Sequence, residues 1–141
     1  MKFTLFAVAA AAFVASAEAA CRLSVFDTQS YQGKCNSFDI PAYETCYSVS
    51  PFTNIKSIKY YHDDPAAATV TLTLFDNANC GGKYTRASIY VAQGSTYSYP
   101  LLENVSGNVR SIQLHKGATS SGNGETSQNL PSTAVKYSGK C

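Results

Sequence analysis

The chain has 141 residues, the length of one domain plus any processed segment, which excludes a multidomain enzyme. Ten tyrosines, no tryptophan, five cysteines, 14% charged residues and a formal charge of +2 give no concentrated field of either sign. A nucleic-acid or acidic-membrane binder that relies on electrostatics is therefore not expected.

At the N-terminus, Lys2 precedes an apolar run from Phe3 to Ala17, and Ala17-Glu18-Ala19 puts small residues at both recognition positions of a cleavage site. This pattern predicts a secretory signal peptide over residues 1–19. The run is shorter than the roughly 20 residues needed to cross a bilayer, and no later segment approaches that length, so no membrane span is expected. Lipidation of Cys21 is the alternative, weakened by Glu18, which stands where such signals place a larger apolar residue.

Cleavage leaves Cys21, Cys35, Cys46, Cys80 and Cys141 in an oxidising compartment, where disulfides are their ordinary state. The chain has no CxxC, and His62 and His115 are not spaced to complete a zinc site with these cysteines. Cys21, Cys35, Cys46 and Cys80 are the disulfide candidates, with connectivity open. Cys141, on the last residue of a polar tail, is expected to be the odd thiol.

Short alternating runs predict strands at Leu23 and Val25, at Ile58 and Tyr60, at Val70, Leu72 and Leu74, at Ile89 and Val91, and at Ile112 and Leu114. Turn-forming stretches such as Gln32-Gly33-Lys34 and Asn79-Cys80-Gly81-Gly82 separate them. The fold class is thus all-β, two-sheeted or barrel-like. Residues 117–132 are almost wholly Ser, Gly, Thr and Asn, with little to bury against the entropy of ordering, so residues 117–141 are expected to be a disordered tail. Residues 20–116 form the domain.

Within the domain the sequence repeats. Phe26-Asp27, Tyr31 and Gly33-Lys34 recur as Phe75-Asp76, Cys80 and Gly82-Lys83, and the halves close on Lys56-Ser57-Ile58 and Arg110-Ser111-Ile112. This frame resembles the βγ-crystallin family, built from Greek-key motifs with an aromatic-x4-aromatic-x-Gly signature near the start and a Ser-Ile or Ser-Val near the end. The first half, about residues 21–61, matches through Phe26, Tyr31, Gly33 and Ser57. The second, about residues 70–116, matches through Phe75, Gly82 and Ser111 but carries Cys80 in the second aromatic slot. The resemblance implies two Greek-key motifs forming a β-sandwich. It also implies that Gly33 and Gly82 sit at folded hairpins, and that Ser57 and Ser111 bond the backbone there.

Many members of that family bind calcium through two consecutive Asn or Asp residues followed, after two further positions, by Ser or Thr and then Ser. The corresponding stretches here run from Phe52 to Ser57 and from Ser106 to Ser111, with Lys56 and Arg110 in a ligating slot. Two unit charges about 4 Å apart repel by about 4 kcal/mol at an effective dielectric of about 20, so no tight calcium site and no other cofactor is expected. Glu103, Asn104 and Asn108 leave only a weak site as the alternative.

His62-Asp63-Asp64 is the one local cluster able to act as acid, base or ligand, and it falls in the turn between the halves. No nucleophile elbow, paired carboxylates for sugar hydrolysis or phosphate loop stands beside it. The chain is therefore expected not to be an enzyme, a small hydrolase using His62 being the outlying alternative. Asn104-Val105-Ser106 is a glycosylation candidate. The tyrosines, among them Tyr43, Tyr47, Tyr60, Tyr61, Tyr84, Tyr97 and Tyr99, serve either as half-buried strand residues or as a stacking surface for a carbohydrate or protein partner. The leading expectation is a secreted, disulfide-stabilised extracellular binding or structural protein. A secreted toxin, antimicrobial protein, effector or protease inhibitor on the same scaffold is the alternative.

Overall fold

The computed structural model describes residues 21–49, 55–62, 69–90, 96–99, 108–134 and 136–141. Residues 1–19, expected to be a signal peptide, Asp63 and Asp64, the Asn104 sequon and much of the stretches 52–57 and 106–111 lie outside the described residues. The described residues form strands without helices, arranged in two sheets. No helix among them is long and apolar enough to cross a membrane.

Period-two alternation builds the first sheet. Strand β1 (Cys21–Phe26) turns Cys21, Leu23 and Val25 inward while Arg22 stays exposed. It pairs antiparallel with β2 (Cys35–Ile40) on one side and with β4 (Ser57–His62) on the other. The second sheet is built the same way around β5 (Thr69–Phe75), flanked by β6 (Gly82–Tyr90) and β8 (Ser111–Lys116). Strand β5 is buried along its whole length: Val70, Leu72 and Leu74 join the core, while the outward Thr71 is covered by residues 117–119 and hydrogen-bonds Gly117 O.

Each half lends one strand to the other sheet. Strand β3 (Cys46–Ser48), from the first half, pairs antiparallel with β8, and β7 (Thr96–Tyr99), from the second half, pairs with β4. Leu23, Phe38, Ile40, Ile58 and Tyr60 from one sheet meet Leu72, Leu74, Ala87, Ile112 and Leu114 from the other in a single apolar core. Burying a side chain of this size stabilises by about 1.5–3 kcal/mol, so this layer is the main source of stability. Its continuity across both sheets makes the two halves one folding unit.

Residues 117–141 correct the expectation of a disordered tail. They carry β9 (Gly122–Thr126) on the edge of β6, β10 (Ser132–Ala134) parallel to β3, and β11 (Lys136–Gly139) antiparallel to β2. The segment gains its order from the backbone hydrogen bonds of open sheet edges, a term that side-chain composition does not report. The strand orders are therefore β11-β2-β1-β4-β7 and β10-β3-β8-β5-β6-β9.

The cysteines also differ from expectation. Cys35 bonds Cys141, because β11 returns along β2 and brings the terminus beside the first residue of that strand. Cys46 bonds Cys80, and Cys21, at the far end of β1 and facing the core, is the free thiol. The Cys35–Cys141 bridge spans 106 positions, so Cys141→Ser should lower the unfolding free energy by about 2–4 kcal/mol. Hydrogen exchange should then accelerate in 122–139 well before it does in β1 or β5. Unchanged exchange in that segment would show that the edge pairing alone holds it.

Candidate functional site

Both halves bend their first hairpin in the same way. After Phe26 the chain runs through Tyr31, at φ 57°, and Gly33, at φ 93°, and after Phe75 it runs through Cys80, at φ 55°, and Gly82, at φ 77°. The loop closes when Asp27 Oδ1 accepts from Lys34 N at 2.9 Å, and again when Asp76 Oδ1 accepts from Lys83 N at 2.8 Å. A Cβ on Gly33 or Gly82 would fall on that same carboxylate oxygen, so both the positive φ and the close approach require glycine.

The last strand of each half pins its hairpin. Ser57 Oγ donates to Thr28 O at 2.6 Å. Ser111 Oγ donates to Asn77 O and accepts from Cys80 N, the latter at 2.9 Å. Lys56 N and Arg110 N each donate at 2.8 Å to the carbonyl of the phenylalanine that opens the hairpin, Phe26 and Phe75. Ser57 and Ser111 are fully buried. The Lys56 and Arg110 side chains point into solvent.

The hairpins differ in what covers them. In the first, Phe26 and Tyr31 meet edge to face at 6.1 Å, with Lys59 Nζ 5.4 Å and 5.6 Å from the two ring centroids. Thr28 Oγ1 bonds Gln32 within the loop and closes it on itself. In the second, Cys80 takes the aromatic position and its disulfide to Cys46 ties the loop to β3. Cys46, Phe75 and Cys80 form a small buried cluster, with Tyr84 and Leu130 packed on it.

Residues 125–129 lie beside this second hairpin, and the space between is an open cleft of about 430 Å3. Asn77, Asn79 and the Gly81-Gly82 backbone form one wall, and Glu125 to Asn129 form the other. Both walls are fixed. Asn79 Nδ2 donates to Asn129 Oδ1 at 2.8 Å, Leu130 N donates to Asn79 O at 2.9 Å, and Gln128 N donates to Thr126 Oγ1 at 3.2 Å. Gly81 lies so close under Gln128 O that a Cβ there would collide with it.

These residues were missed by sequence reasoning because they fall in a turn and in the segment expected to be disordered. The available signal was the exchange of Thr28 and Ser30 in the first hairpin for Asn77 and Asn79 in the second. Among the described residues, Tyr43, Tyr47, Tyr60, Tyr61 and Tyr84 do not share one exposed face. Tyr47 and Tyr60 are core residues, Tyr43 and Tyr84 are half-buried under Lys116 and Arg86, and Tyr61 is 37% exposed. His115 Nδ1 meets Glu44 Oε2 at 2.5 Å on the surface. Among the described residues no group of three or more His, Cys, Asp and Glu side chains could hold a metal ion.

Cys21 is 2% exposed and contacts Tyr60. Burial is the main cause that pushes its thiol pKa far above the usual range, and burial likewise raises the Tyr60 hydroxyl. An unfolded thiol ionises near pH ~8.5, whereas the native one holds its proton, so this stabilisation is intact below that pH and is lost as pH rises above it. Cys21 should resist a thiol reagent at pH ~8 in the native protein and react with about one equivalent in guanidinium. Rapid native labelling would show that the β1 end opens. Ser111→Ala, which leaves Cys80 N without its buried acceptor, should cost about 1–3 kcal/mol, measured as a shift in denaturation midpoint. Gly82→Val should cost about 3 kcal/mol through strain and collision.

Compared with known proteins, the chain matches no family model, no curated protein and no solved structure.

Proposed function

We propose that the chain is a secreted, non-enzymatic extracellular binding module of βγ-crystallin-like fold, stabilised by its two disulfides. Disulfides of this kind persist where thiols oxidise, which supports an extracellular location. The Greek-key reading draws support from the strand order: β4 returns to lie beside β1, β8 returns to lie beside β5, and each half hands its third strand to the opposite sheet. The twin folded hairpins, with their Asp-Lys closures and Ser pins, support it at the level of single residues.

The observation that carries the functional reading is the braced cleft between the second hairpin and residues 125–129. Its walls are held by a disulfide, by an edge strand and by hydrogen bonds that exist before any ligand arrives. A site ordered in advance loses little conformational entropy on binding, which favours recognition over turnover. Its lining offers hydrogen-bonding groups and no nucleophile paired with a base.

Labelled, oxidised mature protein should be retained saturably on intact cells or on isolated extracellular matrix, without loss of cell viability. Reduction of the disulfides should abolish retention. Protein that stays wholly in the supernatant, or cells that die on binding it, would refute this reading.

A further inference from the structure

We propose that the cleft between residues 77–82 and 125–129 is a binding site for a neutral saccharide; this rests on the reading of the chain as a binding module and names the ligand class. The lining chemistry selects the class by elimination. Asn77, Asn79, Thr126, Ser127, Gln128 and Asn129 line the cleft and supply amides and hydroxyls, with Glu125 as its single acidic residue. No Lys or Arg lines it, so a phosphate, a sulfate or an acidic peptide would meet a carboxylate and no counter-charge. One carboxylate is too few anionic oxygens for a tight divalent-cation site. An apolar ligand would strip water from amides and return no hydrogen bonds, which costs free energy for each group left unmade.

A saccharide answers each of these demands. Every hydroxyl of a sugar ring is at once donor and acceptor, as is every side-chain amide, so the two sets pair without a net charge on either side. The amides differ in how far they are already engaged. Asn79 is held by Asn129 and Ser132 and frames the wall. The Asn77 and Gln128 side chains make no hydrogen bond among the described residues, and Asn129 uses its oxygen while its amide hydrogens remain for a ligand. Asn77 and Gln128 therefore stand on opposite walls as a pair of adaptable partners. A cleft of about 430 Å3 lies within the usual range for small-ligand sites.

The second hairpin is specialised for this and the first is not. Thr28 closes the first loop by bonding Gln32, whereas the residue in the same position of the second loop, Asn77, lays its amide over Gly82 at the cleft wall and makes no side-chain hydrogen bond among the described residues. Cys80, in place of the aromatic of the first hairpin, removes the ring that would cover the loop and replaces its clamp with a covalent one. Gly81 admits the backbone of Gln128, which brings the second wall within reach.

The test is calorimetric titration of the oxidised mature protein with neutral hexasaccharides of β-1,4-N-acetylglucosamine, β-1,3-glucose and β-1,4-glucose, with polyphosphate and an acidic peptide as charged comparators. At least one neutral hexasaccharide should bind, and Asn77→Ala with Gln128→Ala should weaken it by about tenfold or more while the melting temperature moves by less than ~2 °C. Should that double variant fold poorly, amide chemical-shift mapping on the wild type decides the question instead, with changes expected in 77–82 and 125–129. Perturbation elsewhere, an unaffected affinity in the double variant, or no neutral hexasaccharide binding at ~10 mM would overturn the proposal. Binding of polyphosphate or the acidic peptide alone would overturn the ligand class and leave the binding-module reading standing.

Discussion

The structure depends on a carboxylate that reaches back across its own hairpin. Asp27 and Asp76 each accept the backbone N–H of a lysine seven residues on, and that bond holds the chain in a bend that only glycine can complete at Gly33 and Gly82. Without the bend, β1 and β5 would run into open loops. With it, the hairpin folds back toward its own sheet and presents its carbonyls to Ser57 and Ser111. Those serines belong to the strands that close each half, so one local contact fixes where a strand far along the chain must arrive. The first and last strands of each half then lie side by side, and the apolar alternation of β1, β4, β5 and β8 faces a common core.

The repeated frame shows which parts of this were legible in the sequence. Phe-Asp, the glycine, the lysine and the late serine are all local identities, and the bonds that they make are short-range or paired by the repeat. Central strands such as β5 were also legible, because the alternation of threonine with Val70, Leu72 and Leu74, the residues that face the core, writes a period of two into the chain. Strands β3 and β7 were not. They are three and four residues long, and their placement in the opposite sheet is a property of the tertiary route.

The C-terminal segment was misread for a physical reason. Strand β9 is mostly exposed, so its side chains carry no record of the ordering, which comes from the N–H and C=O groups that β6 presents at its edge. Gly124 even lacks a side chain because Tyr84 occupies the space where one would stand. A composition rich in Ser and Gly thus describes an edge-covering strap as well as it describes a disordered tail. The cysteine at the last residue was the discriminating clue, since a bonded terminus must come back to the domain. The pairing itself followed from the register of β11 on β2, which no spacing rule supplies.

Edge covering and cleft formation have the same origin. A sheet edge left open invites pairing with another chain, and β9 and β10 close the two edges of the second sheet. To pass from β6 to β3 the strap must cross the second hairpin, because that hairpin lies between those edges and is tied to β3 by Cys46–Cys80. The crossing segment is Ser127 to Pro131. Leu130 sinks into the Phe75 and Cys80 cluster and anchors the crossing, which leaves Gln128 and Asn129 facing Asn77 and Asn79 across the cleft. The cleft is therefore a consequence of how the chain protects its edges, and its polar walls are residues that neither the core nor the edge strands required to be apolar.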